Sequence, residues 1–202
     1  MKKLLIVLGI LAVLGIILVM SAVGSYNGLV NRDQAVDAAW AQVENVYQRR
    51  ADLVPNLVRT VSGAADFEKS TLTAVTEARA SVGQIKLPEG TAPTDPAALA
   101  RFEQAQGQLG SALSRLMVVV ERYPELRATQ AFRDLQVQLE GTENRIAVER
   151  GRYNAIVQDY NSAIRRVPGA LYASIFGFDK KAYFSAEAGA EKAPVVDFGG
   201  KS

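Results

Sequence analysis

The chain has 202 residues, room for one domain and an anchor, and its 23 basic and 21 acidic side chains are interspersed along it. No extended basic face results, which argues against nucleic acid as a partner. It contains neither Cys nor His, which removes disulfides, thiol catalysis, thiolate metal sites, the usual zinc ligands and the usual nucleophile–base pairs.

Residues 4–23 carry no charge, and Ser21 is their one polar side chain. Such a run is about 30 Å long as a helix, the thickness of a bilayer's hydrocarbon core. Ala22-Val23-Gly24 offers the small residues of a signal-peptidase site. The run nevertheless exceeds the h-region of a signal peptide, about 7–15 residues, so it reads as an uncleaved single-pass anchor. Lys2 and Lys3 precede it and only Arg32 follows soon after. The positive-inside bias then puts the N-terminus in the cytoplasm and the bundle on the extracytoplasmic (periplasmic) side.

Beyond the anchor, a seam recurs at alternating steps of four and three, apolar but for Arg50: Val36, Trp40, Val43, Tyr47, Arg50, Val54, Leu57 and Val61. The seam can be continued through Ala65, Glu68, Leu72, Val75, Arg79 and Val82, as a helix pair or one long bent helix. Pro55 predicts a kink, and Ser62-Gly63-Ala64-Ala65 is a second weak point. Pro88, Pro93 and Pro96 with Gly90 end the helix in an exposed loop. Asp95 before Pro96 is then an N-cap for the next seam, Phe102, Gln106, Leu109, Leu113, Leu116, Val120 and Tyr123. After a turn at Tyr123-Pro124-Glu125-Leu126 comes the longest seam, over 132–167: Phe132, Leu135, Leu139, Thr142, Ile146, Glu149, Tyr153, Ile156, Tyr160, Ala163 and Val167. The expected fold is all-α, an N-terminal transmembrane helix followed by a long up-and-down antiparallel bundle of about four helices. Its segments are an anchor at 1–25, the bundle at 26–169 and an aromatic-containing tail at 170–202.

The seams carry four ionisable side chains, Arg50, Glu68, Arg79 and Glu149. Buried charge is unfavourable unless paired, so an interhelical ion pair is expected, Glu149 with Arg50 or, failing that, Arg79. A Tyr-Asn dipeptide occurs at Tyr26-Asn27, Tyr153-Asn154 and Tyr160-Asn161, the latter two one heptad apart. Tyrosines on a seam need partners for their hydroxyls, and the adjacent amides are expected to fix helix register or form a partner surface. Glu140 and Glu143 lack the His that carboxylate-bridged di-iron bundles place three positions on, so no metal or other cofactor is assigned. Glu143 is expected to face Arg150 or solvent. The terminal Gly-Gly-Lys-Ser lacks the earlier Gly and the following helix of a phosphate-binding loop.

The order of motifs resembles the LemA family of bacterial membrane proteins over nearly the whole chain. The anchor is followed by Tyr26-Asn27-Gly28-Leu29-Val30 and by Arg50-Ala51-Asp52-Leu53-Val54-Pro55-Asn56-Leu57-Val58. Later come Tyr123-Pro124-Glu125-Leu126, Thr142-Glu143-Asn144-Arg145-Ile146-Ala147 and the two Tyr-Asn pairs. The resemblance implies one N-terminal transmembrane helix and a long antiparallel bundle. It supplies no activity and no catalytic residues, and descriptions of the family place the bundle in the cytoplasm, opposite to the charge argument.

The expected function is therefore a non-enzymatic, membrane-anchored scaffold that self-assembles. A sensor or adaptor binding a ligand through the polar seam, in a cavity beside Glu149 and the Tyr-Asn pairs, is the alternative. Expected partners are the lipid bilayer, further copies of the chain and another membrane protein. Leu171, Ile175, Phe176 and Phe178 are candidates for contact with the membrane or a neighbouring subunit.

Overall fold

The computed structural model describes residues 2–63, 67–85 and 87–185. Six helices account for most of them: α1 (Lys2–Ser62), α2 (Lys69–Gln84), α3 (Pro96–Val120), α4 (Pro124–Arg127), α5 (Gln130–Ala163) and α6 (Gly169–Phe176). The chain is all-α with no strand among the described residues.

Anchor and first bundle helix are one element. The 61 residues of α1 extend about 90 Å. In its first two dozen residues Leu4, Ile10, Leu14 and Ile17 are exposed to the surroundings. From Leu29 onward the same helix turns a buried stripe inward, with Val36, Trp40, Val43, Tyr47, Arg50, Val54, Leu57 and Val61 all buried at the expected spacing. Pro55 lies inside α1 without ending it. The break comes at Gly63, where glycine's backbone entropy weakens the helix. Ala65 of the continued seam lies outside the described residues.

The remaining helices alternate in direction. Arg32 meets Asp159 at 3.0 Å and Arg50 meets Glu143 at 2.7 Å, so α5 runs antiparallel to α1. Glu68, beside the start of α2, meets Arg122 near the end of α3 at 2.7 Å, so these two also form an antiparallel pair. Asp95 caps α3 as its sequence predicts, accepting from the Ala97 N–H at 2.8 Å with Pro96 in the first turn. Thr129 caps α5 in the same manner, accepting from the Phe132 N–H.

Two apolar clusters make up the core. The distal one packs Val54, Leu57 and Val61 against Val75 of α2, Leu109, Leu113 and Leu116 of α3, and Phe132 and Leu139 of α5. The proximal one, nearer the anchor, packs Val36, Trp40 and Val43 against Ile146, Tyr153, Val157 and Tyr160 of α5. Only the distal cluster includes α2. In the proximal half its place is taken by Ala92 and Leu99 and by Ala182 and Phe184 of an extended C-terminal segment.

The long seam stops short of its expected end. Helix α5 closes at Ala163, and Val167, taken from sequence as the last seam residue, is 90% exposed in the turn that precedes α6. Ala170 N–H bonds to the Arg166 carbonyl at 2.8 Å across this turn, and the Val167–Pro168 peptide is cis. A Cβ on Gly169 would run into the Ala163 carbonyl oxygen, so only glycine permits so tight a reversal. At the other end of α6, Gly177 adopts φ 74°, the left-handed cap that sends the chain back along α5.

Candidate functional site

The Tyr-Asn repeat on α5 grips the backbone of residues 179–185. Asn161 donates from Nδ2 to the Lys181 carbonyl at 2.9 Å and accepts from the Lys181 N–H at 3.0 Å. One heptad earlier, Asn154 makes the same pair of bonds with Phe184, at 3.0 and 2.9 Å. The tyrosines fill the gaps: Tyr160 donates to the Asp179 carbonyl at 2.9 Å and Tyr153 to the Ala182 carbonyl at 3.0 Å. Spacing explains the repeat. Seven residues of helix advance about 10.5 Å, and three residues of extended chain, from Lys181 to Phe184, advance about 10 Å. Identical Tyr-Asn pairs one heptad apart therefore meet an antiparallel extended segment in register.

Side chains of the segment complete its seat. Phe184 lies on Trp40 with ring centroids 5.9 Å apart and meets Tyr153 edge-on at 5.4 Å. Lys181 is buried, with its ammonium 3.0 Å from Asp33 and 3.6 Å from Asp37 on α1. The Ala182 N–H bonds to the Pro93 carbonyl at 2.9 Å, and the Ala92 N–H to Asp37 at 2.9 Å, so the α2–α3 loop joins the same assembly. Ser185 also joins it, its N–H on Glu103 at 3.1 Å and its carbonyl on Arg150 at 3.0 Å. Burial pushes both phenols above their ordinary range, helped by Asp37 for Tyr153 and chiefly by Asp33 for Tyr160. The two hydroxyls thus remain donors at any physiological pH.

A second polar group lies between the two apolar clusters. Arg50, 4% exposed, donates to Glu143 at 2.7 Å, to the Gln106 carbonyl at 3.0 Å and to the Gln106 amide oxygen, and lies over the Tyr47 ring. Arg150 pairs with Glu103 at 2.9 Å and packs on Phe184. Arg50, Glu143, Gln106, Tyr47, Arg150 and Glu103 line a cleft of about 700 Å³ between α3 and α5, flanked by Gly107, Gly110, Ser111 and Ser114.

Several expectations are corrected. Glu149 does not pair with Arg50 or Arg79. The Arg32–Asp159 and Arg50–Glu143 contacts fix a register that puts Glu149 level with Val43, two turns from Arg50, and it meets Arg152 of its own helix at 3.5 Å. Arg79 is exposed and donates to the Ala51 carbonyl at 3.0 Å, since the buried face of α2 is Thr71, Val75 and Ala78. Glu68 pairs across helices with Arg122 rather than with a seam cation. Glu143 pairs with Arg50 at 2.7 Å and is otherwise exposed to solvent, one of the two expected environments. Asn154 and Asn161 do not tie helix to helix: each amide gives one donor and one acceptor bond to the C-terminal segment. At the first Tyr-Asn pair, Asn27 is exposed and Tyr26 meets Phe176 and Phe178 at 4.8 and 5.9 Å. The cleft is lined by neither Glu149 nor the tyrosines and asparagines of the repeat, against the expectation of a cavity beside them. Phe178 is half-buried, while Leu171, Ile175 and Phe176 are exposed. No group of acidic side chains fit to hold a metal occurs among the described residues, and the terminal Gly-Gly-Lys-Ser lies outside them.

The sequence Lys-Ala-Tyr-Phe-Ser carried little signal for the segment: only from Ala182 does burial alternate, with Ala182 and Phe184 buried and Tyr183 and Ser185 exposed, as in extended chain on a surface. The alternation was masked by its shortness and by the glycines around it.

An exposed apolar helix continuous with a closed antiparallel bundle defines a membrane-associated helical protein. The chain belongs to the LemA family, which it matches over residues 39–198. It is similar to the magnetosome protein MamQ of Magnetospirillum gryphiswaldense, 29% identical over 174 residues that cover 79% of this chain and 64% of the relative. Magnetosome protein MamQ 2 of Paramagnetospirillum magneticum is also 29% identical, over 85% of this chain and 68% of its own. Protein LemA of Metamycoplasma hominis is 23% identical over 70% of this chain and 60% of its own. The chain thus spans about two thirds of the length of these relatives.

Proposed function

We propose that this protein is a non-enzymatic scaffold that is anchored by one α1 span, stands on the extracytoplasmic side and assembles with copies of itself in the membrane. The observation that carries this reading is the occupied Tyr-Asn ladder. The polar groups that a ligand or substrate site would draw on are spent on the chain's own backbone at Asp179, Lys181, Ala182 and Phe184. The charges of the α3–α5 cleft are likewise matched to each other, Arg50 with Glu143 and Arg150 with Glu103. Such an arrangement suits a stiff post better than a reaction site. Val118, Val137 and Val148 point outward from α3 and α5 and offer lateral contact. The test is the mass of the full chain in detergent by light scattering coupled to size exclusion. A discrete multiple of the monomer mass is expected, and a strict monomer at all working concentrations contradicts the reading.

The 700 Å³ cleft supports a second reading, an adaptor that takes a polar ligand or partner beside Arg50. Filling it with Ser111→Leu separates the two. Assembly is unchanged under either reading, but complementation of a deletion strain is lost only if the cleft is used.

A further inference from the structure

Helix α6 does not point into the bundle. Its sequence, Gly-Ala-Leu-Tyr-Ala-Ser-Ile-Phe, contains no charge, and only Ala173 is buried. Leu171 and Ile175, one helical turn apart on a common face, are 60% and 62% exposed, and Phe176 is 54% exposed. Val167 in the preceding turn is 90% exposed as well. Such a cluster is costly in water and calls for a partner.

Its position identifies the partner. Gly169 approaches Leu29 of α1, and Phe176 packs on Tyr26. Tyr26 lies about 4.5 Å and Leu29 about 9 Å along the helix beyond Val23, the last residue of the apolar span. The headgroup layer of a bilayer occupies about 5–8 Å on either side of its hydrocarbon core. The contacts of α6 with α1 therefore start at the inner edge of the headgroup layer, at Tyr26, and reach just past its outer edge, at Leu29. They are also only about 4.5 Å apart along α1, although α6 is itself about 10 Å long from Gly169 to Phe176, so α6 crosses α1 obliquely. A helix in that attitude lies along the membrane surface when α1 stands through it.

Charge flanks the apolar face where a lipid surface would meet it. Arg165 and Arg166 precede α6 and Lys180 follows it, all three exposed, and none is held in an ion pair among the described residues. Arg165, Ser174 and Lys180 also share a cleft of about 590 Å³, with Asp179 beside them. Cations and an aromatic at the edge of an apolar helix are the pattern of an interfacial membrane helix.

We propose that α6 is a second membrane contact, an interfacial foot whose Leu171, Ile175 and Phe176 seat in the headgroup layer while Arg165, Arg166 and Lys180 engage anionic phospholipid. The contact fixes the tilt and height of the bundle over the bilayer. It rests on the reading of residues 4–23 as a membrane span and is independent of self-assembly.

The chain's lack of cysteine makes the test direct. Single nitroxide labels are placed by Leu171→Cys, Ile175→Cys, Val148→Cys on the outer bundle face and Val13→Cys in the span. The full chain is reconstituted in vesicles of phosphatidylcholine, with and without phosphatidylglycerol. Relaxation by oxygen, which concentrates in lipid, is compared with relaxation by a water-soluble nickel chelate. Labels at 171 and 175 should show an oxygen-to-nickel ratio several-fold above that at 148, approaching that at 13. Phosphatidylglycerol should raise it further, an increment that Arg165→Gln/Arg166→Gln removes. A ratio at 171 and 175 equal to that at 148, with 13 in lipid, overturns the foot and leaves the anchor standing. Water access at 13 overturns the anchor itself. Protection of 171 and 175 from both reagents, relieved on dilution in lipid, means that a second copy covers the face and also overturns the proposal.

Discussion

Asn161 and Lys181 exchange two hydrogen bonds across twenty residues of chain, the amide of one pairing with the backbone N–H and carbonyl of the other, all of it buried. Removing the amide leaves a buried donor and a buried acceptor without partners, a cost of roughly 2–3 kcal/mol. Asn161→Ala should lower the melting temperature of the full chain and expose residues after Gly177 to proteolysis. The half-buried Asn154 makes the equivalent pair with Phe184, and Asn154→Ala should cost about 1–2 kcal/mol. Equal, negligible effects of both changes in thermal melts would count against the ladder.

The Arg50–Glu143 pair is lopsided: the guanidinium is 4% exposed and the carboxylate 45%. Glu143→Gln strands a buried cation, whereas Arg50→Met returns a carboxylate to water. A fully buried pair broken at one partner costs about 3–5 kcal/mol, and the exposure of Glu143 and the two Gln106 acceptors discount that to about 1–3 kcal/mol here. Glu143→Gln is therefore expected to be more destabilising than its exposure suggests, and Arg50→Met/Glu143→Gln to recover part of the loss in chemical denaturation. A double variant as unstable as the sum of the singles would show that the two residues do not act together.

The helices were legible because their periodicity is long and strong: Val36 to Val61 and Gln106 to Val120 are buried at the spacing read from sequence. Pairing between helices was not legible. Seam position alone made Arg50, Arg79 and Glu149 equivalent, but only the register of α1 against α5 decides which charges are level, and that register puts Glu143 on Arg50. The Tyr-Asn repeat was visible, its partner was not. A single extended segment without a mate gives little periodic signal, and its bonds go to side chains on a helix that precedes it.

Gly169 is required by space rather than by an unusual φ. Since the obstacle to a Cβ is the Ala163 carbonyl oxygen, a backbone atom that cannot rotate away, Gly169→Ala should force the α5–α6 turn apart at roughly 1–3 kcal/mol. Thermal melting of the detergent-solubilised variant reads the loss. A melting temperature unchanged from the parent would show that the turn has more room than the structure allows it.

Tyr153 and Tyr160 hold their protons more tightly in the fold than free phenols do, because burial and nearby carboxylates disfavour phenolate. Tyr47 is shifted the same way by burial. Their contribution to stability is full below the unfolded phenol value of about 10 and is lost as pH rises through the raised folded values. Of the seven tyrosines, three should resist ionisation in an absorbance titration until the chain unfolds. Complete ionisation of all seven near the ordinary value, with helicity intact, would contradict the buried placement.

The occupied ladder carries the functional reading, and whether it is filled by the chain's own segment can be measured directly. Nitroxide labels at Gln158→Cys on α5 and Tyr183→Cys on the segment, both exposed positions level with the ladder, report their separation by pulsed electron resonance in the full chain. A single short, narrow distance is predicted, unchanged when labelled protein is reconstituted with an excess of unlabelled protein. A broad distribution, or a short distance that disappears on such dilution, would contradict closure of each bundle by its own C-terminal segment.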